Sequence, residues 1–125
     1  MTHPLIARLE TDLGWPRLRS MEEVETFTAR PGAHCLFIPG DSARNLETAD
    51  AAVVLPELVM TFQRAFDAAV VDEAIEAALR ERTRALRTPS FLFYHEGRYL
   101  GAIEKIRDWG DYTTRIPQIL GLASV

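Results

Sequence analysis

Arg87-Thr88-Pro89-Ser90-Phe91-Leu92-Phe93-Tyr94-His95-Glu96-Gly97-Arg98-Tyr99-Leu100-Gly101-Ala102-Ile103 holds the only unmistakable hairpin of this 125-residue chain. It reads as strand, tight turn, strand. Successive side chains of a strand point to opposite faces, so Phe91 and Phe93 share one face and Leu92 and Tyr94 the other. Both faces are apolar, the pattern of a central strand covered by helices on either side. Glu96-Gly97 is the turn, since glycine takes a positive φ without steric cost and suits a short hairpin loop. Thr88-Pro89 opens the first strand, where proline costs no central ladder bond. An X-Pro peptide is also the realistic place for a cis bond, which here would aim the backbone of Thr88 outward, toward a ligand.

Working outward toward the N-terminus, Asp72 is placed to cap a helix with Ile75, Ala78 and Leu79 on its inner face. Glu76 faces Arg80 there, and Arg82 and Arg84 suit the C-terminal dipole. Ahead of it, Phe66 to Val71 reads as a buried strand. Leu55, Leu58, Val59 and Phe62 make a helical stripe with Pro56 inside, which predicts a kink or the early turns of a helix. The segment from Pro39 to about Asp50 reads as a surface loop, with Asp41, Arg44, Glu47 and Asp50 spaced three apart and Leu46 its only apolar anchor. Ala33 to Ile38 is a second buried strand, with Cys35 inside it. Ser20-Met21-Glu22-Glu23 is a capping box opening a helix to about Ala29. Pro16 to Arg19 reads as a short extended piece. Leu5, Ile6, Leu9 and Leu13 predict an N-terminal helix stopped by Gly14-Trp15-Pro16. Beyond the hairpin, Asp108 caps a helix with Trp109, Tyr112, Ile116, Ile119 and Leu120 on one face, which Pro117 should bend or split.

The length suits one domain over residues 1–125, with 47% of residues hydrophobic. The net charge is −4, and no lysine or arginine run forms a stripe, so no nucleic-acid partner is expected. One cysteine cannot form an internal disulfide. Neither a leader pattern nor a membrane-length apolar run is present, which makes the cytoplasm the expected compartment and membrane insertion unexpected. His3, His34 and His95 are scattered without metal-ligand spacing, so no metal or other cofactor is expected. Trp15 and Trp109 read as residues sealing a small core, and Tyr99 as an edge residue with its hydroxyl in water.

Strand, helix, strand, helix, hairpin and final helix make an α/β plan, a parallel βαβ half joined to an antiparallel half. This resembles the thioredoxin fold: a central mixed sheet of four to five strands flanked by helices, here with an extra N-terminal helix. Pro56 stands where thioredoxin-like folds kink their second helix, and Thr88-Pro89 where they place a cis-proline. In thioredoxins a Cys-x-x-Cys pair sits eight and five residues before the kink proline. Those positions here are Thr48 and Ala51. Dithiol exchange needs an attacking thiolate and a resolving thiol at a helix N-terminus, and Thr48-Ala49-Asp50-Ala51 supplies neither. Asp50 would also place a negative charge where a thiolate would form. Cys35 is then the remaining candidate for a single-cysteine redox enzyme, against its reading as a small core residue.

Within this fold the chain resembles the hydrogenase expression and formation accessory proteins of the HyaE and HupG type. Three stretches carry the resemblance: Gly97-x-Tyr99-x-Gly101-x-Ile103-x-x-Ile106-x-x-Trp109, Asp41-x-x-Arg44-x-x-Glu47-x-x-Asp50, and Gly14-Trp15 after an N-terminal helix. It implies a non-catalytic chaperone for the [NiFe]-hydrogenase small-subunit precursor, recognising its twin-arginine signal peptide before export, with other hydrogenase maturation proteins as further partners. No catalytic residue is implied. The residues agree in kind, because paired arginines want carboxylates and an extended peptide wants free backbone groups. Glu47, Asp50 and Glu57 cluster near the start of the kinked helix, with Thr88 and Pro89 expected beside them. The competing reading is that loop charges are merely solvated and carboxylates at a helix start answer to the dipole. A purely structural thioredoxin-like interaction domain would share every one of these features.

Overall fold

The computed structural model describes residues 3–41 and 43–121. Five helices and five strands follow along them, alternating except at the β4–β5 hairpin: α1 (Pro4–Thr11), β1 (Arg17–Leu18), α2 (Met21–Thr28), β2 (Ala33–Ile38), α3 (Glu47–Thr61), β3 (Phe66–Val71), α4 (Glu73–Thr83), β4 (Ser90–His95), β5 (Arg98–Glu104) and α5 (Trp109–Leu120). The sheet order is β1-β3-β2-β4-β5. β1, β3 and β2 run parallel, while β4 pairs antiparallel with both β2 and β5. The mixed five-stranded sheet with flanking helices is the thioredoxin plan expected from the hairpin and its prolines.

β4 shows why. Phe91 and Phe93 enter the core shared with Phe37, Leu55, Phe66 and Tyr112, under α1, α3 and α5. Leu92 and Tyr94 enter a second core with Leu36, Ile38, Val71 and Leu79, under α2 and α4. Edge-on ring contacts fix the first core, Phe66 against Phe93 at 5.5 Å and Phe37 against Phe91 at 5.7 Å. At the turn both Glu96 (φ 49) and Gly97 (φ 88) are left-handed, as a two-residue hairpin with the right twist requires. The turn is pinned to the end of α2 by Gly97 N–H donating to the Thr28 carbonyl at 2.7 Å.

β1 cannot extend toward the N-terminus, for a chemical reason. The Val70 and Asp72 amides donate to the carbonyls of Pro16 and Leu18, so the next rung would need an amide from residue 16. Proline has none, and the ladder ends. Arg17 then anchors the edge, its guanidinium 2.9 Å from both Glu10 and Asp72.

Several expectations need correcting. The irregular segment ends at Leu46, because Asn45 Oδ1 accepts the Glu47 amide and its carbonyl accepts that of Thr48. Asp50 is therefore helical. α1 stops at Thr11, leaving Leu13 exposed. Ser20 accepts the Glu23 amide as a capping box should, but the Glu23 carboxylate takes the Arg19 amide. α5 runs unbroken through Pro117, since a missing amide near the end of a helix frees only one carbonyl. Glu76 and Arg80 form no ion pair. The Arg80 guanidinium donates instead to the Leu86 carbonyl. Trp109, expected in the core, starts α5 and is 43% exposed, whereas Trp15 does pack against the first core.

Candidate functional site

In redox-active proteins of this fold, chemistry sits at the N-terminus of the helix that α3 represents. Here Thr48 is buried, with its hydroxyl donating to the Pro39 carbonyl at 2.8 Å, and Ala51 is a buried methyl. Neither is a nucleophile. Cys35 lies in β2 at 0% exposure, where burial first and the nearby Asp67 second push its thiol well above the ordinary range. A thiol so placed is neither reachable nor ionised.

Three of the expected site residues do come together, but engaged by other groups of the protein. The Thr88-Pro89 peptide is cis, and Pro89 is buried. The Thr88 carbonyl does not point to a ligand: it accepts Asn45 Nδ2 at 2.6 Å and Lys105 Nζ at 3.2 Å. Lys105 in turn lies 2.6 Å from Glu47 Oε2, while Glu47 Oε1 accepts the Ile106 amide at 3.1 Å. These bonds, Lys105 first, hold the Glu47 carboxyl below its ordinary range. Glu47, Thr88 and Pro89 thus belong to an internal lock between α3, β4 and the end of β5.

Asp50 and Glu57 are placed differently. Both are exposed on α3, two turns apart on one face, and among the described residues neither makes an ion pair. Between and beyond them stand Leu46 at 87% exposure, Val53 at 50% and Met60 at 63%. Sequence reading took Leu46 as a loop anchor and missed Val53 and Met60, because it counted the stripe that faces the core. The signal was present nonetheless, since positions 46, 53 and 60 recur every seven residues, as do 50 and 57.

The stripe leads to a cleft of about 1080 Å³ between α2, the C-terminal half of α3 and the open edge of β3, lined in part by Trp15, Phe27, Pro56, Val59 and Met60. Met60 belongs to both. Among the described residues, no group of three or more His, Cys, Asp or Glu side chains could hold a metal ion. His3 caps α1, and the buried His34 has its ring nitrogens 2.5 Å from Asp67 and 2.9 Å from the Arg30 carbonyl. Among the described residues no helix is long and apolar enough to cross a membrane.

A cis-proline beside a helix whose paired thiols are replaced by threonine and alanine defines a thioredoxin-fold protein without the redox pair. Solved structures agree on the fold. Mitochondrial thioredoxin 3 from Saccharomyces cerevisiae superposes with a TM-score of 0.67 at 10% identity, over 87% of this chain and 95% of that one. The hydrogenase expression/formation protein hupG from Rhodopseudomonas palustris does so with a TM-score of 0.59 at 36% identity, over 85% and 95%. The chain belongs to the family of the Hydrogenase-1 expression protein HyaE, which matches residues 5–112. It is 66% identical over 119 residues to the hydrogenase expression/formation protein HupG of Rhodobacter capsulatus, covering 95% of this chain and 86% of that relative. It is 42% identical over 120 residues to HoxO of Azotobacter vinelandii, covering 96% and 80%.

Proposed function

We propose that this chain acts as a single, non-catalytic domain in [NiFe]-hydrogenase maturation, binding the twin-arginine signal peptide of the small-subunit precursor in the cytoplasm before export. Its relatives are named for hydrogenase expression and formation, and other maturation proteins are the natural further partners. The observation that carries the reading is the pair of free carboxylates on α3, Asp50 and Glu57, at the helix where the redox pair is missing. Paired arginines are recognised by carboxylates, and these two have no cation of their own among the described residues. Glu47, Thr88 and Pro89 serve the same site indirectly, by holding the start of α3 against β4.

Each exposed pair contributes up to about 1 kcal/mol, so a single neutralisation weakens binding several-fold at most. Reversing both charges, Asp50→Lys with Glu57→Lys, does far more. The effect shrinks as salt rises, because exposed charges are screened beyond roughly 10 Å at 0.1 M ionic strength. Calorimetric titration with a twin-arginine peptide and its twin-alanine counterpart, at low and high salt, tests this. Equal affinity for the two peptides would refute it.

A further inference from the structure

We infer that the bound segment docks as an amphipathic helix laid along α3, its apolar side chains over Leu46, Val53 and Met60 and its basic side chains over Asp50 and Glu57. This deepens the peptide-binding reading above and rests on it. Three observations carry it: the spacing of the stripe, its charge, and the closure of the places beside α3 where an extended peptide would pair.

The spacing comes first. Seven residues of helix rise about 10.5 Å, so the exposed apolar side chains of α3 repeat at that interval, with a carboxylate between each pair. A second helix crossing at a shallow angle presents one side chain per seven residues to such a row, and cations three or four positions away meet the carboxylates. A strand does not fit. Residues on one face of a strand recur every ~6.6 Å, out of step with this row.

Extended pairing is closed at the two places beside α3, and the remaining long free edge, that of β5, lies at the opposite end of the sheet. The Thr88 carbonyl is held by Asn45 and Lys105. Phe66 and Ala68, whose backbone would receive a strand at the open edge of β3, are only 1% and 3% exposed beneath the walls of the cleft. α3 instead offers its side chains freely. A second copy of this chain is a poor occupant, since its own Asp50 and Glu57 would bring like charges to the face. The occupant the charges select is basic and apolar.

The test uses the full chain, isotopically labelled, and a synthetic peptide spanning the twin-arginine signal of a hydrogenase small subunit. Amide shifts should centre on residues 46–60, and circular dichroism should show the peptide gaining helix on binding. Val53→Asp with Met60→Asp should weaken binding at least tenfold, and because both side chains are exposed the variant should keep its native spectrum. Val53→Ser with Met60→Ser, which adds no charge, should weaken it less but in the same direction. Unchanged affinity in both variants, or shifts centred on Thr88, on β5 or on the α2 and β3 walls of the cleft, would overturn helical docking on α3 while leaving peptide binding intact. No binding to the unmodified chain would overturn both readings.

Discussion

Lys105 Nζ lies 2.6 Å from the Glu47 carboxylate and joins it to the Thr88 carbonyl, tying the first turn of α3 to the loop before β4. Both charged side chains are about a third exposed, so solvent screening keeps the pair modest. Glu47→Gln should cost about 1 kcal/mol near neutral pH, read as a shift in urea midpoint. The pH dependence has a definite sign. Glu47 is held below its ordinary 4.5 by Lys105 first and the Ile106 amide second, so the unfolded chain takes up the proton earlier on acidification. Its contribution is complete above the ordinary value and disappears as the pH falls through the lower folded value. In acid, the variant and the parent should therefore converge.

Cys35 should behave as a core residue. With the thiol fully buried and its ionisation pushed up, a thiol reagent should find no reactive group in the native protein and one after unfolding. Insulin reduction should stay at background. Turnover that vanished in Cys35→Ser would restore a redox enzyme and remove the chaperone reading.

The three tyrosines should all titrate late. Burial pushes the Tyr94 phenol to about 12, with Tyr99 adding to it, and desolvation also raises Tyr99 and Tyr112. A raised folded value means the phenols lose their protons more easily when unfolded. Their contribution is present below the ordinary value of 10.0 and is lost as the pH rises toward the folded one. Absorbance titration of the phenolates should rise above the free-tyrosine position in the native protein and at it in denaturant. A native step near the ordinary value would contradict this packing.

Gly40→Ala should be markedly destabilising. Gly40 has φ +79, and an added Cβ would lie 2.6 Å from Thr88 Cβ, so left-handed strain and crowding combine. The expected cost is about 1–3 kcal/mol, measured as a lowered thermal midpoint. A neutral result would mean that the loop before β4 yields easily, contrary to its anchoring by Asn45 and Lys105.

Much of this protein was legible along the chain, for reasons that are local. The two-sided apolar pattern from Phe91 to Tyr94 placed β4 at the centre of the sheet, because side-chain alternation is a property of the strand itself. Asp72 and Asp108 cap α4 and α5 as their positions required, and Thr48 and Ala51 in place of cysteines already removed dithiol exchange. What depends on distant partners was not legible. Glu47 read as a free loop carboxylate, yet Lys105 and Ile106, far along the chain, convert it into a brace. Thr88 read as open backbone until Asn45 and Lys105 closed on its carbonyl. Trp109 read as core by its place on an apolar face, but what covers that face is a matter of packing.

The division follows from the range of the forces. Alternation, capping and the missing amide of proline act within a few residues, so the sequence by itself determined the strands, the starts of α2, α4 and α5 and the absence of a thiol pair. Which carboxylates remain unpaired, and which apolar side chains remain uncovered, is decided only when elements far apart in the chain are brought together. Tertiary packing paired the Glu47 carboxylate with Lys105 and left Asp50 and Glu57 exposed and unpaired among Leu46, Val53 and Met60.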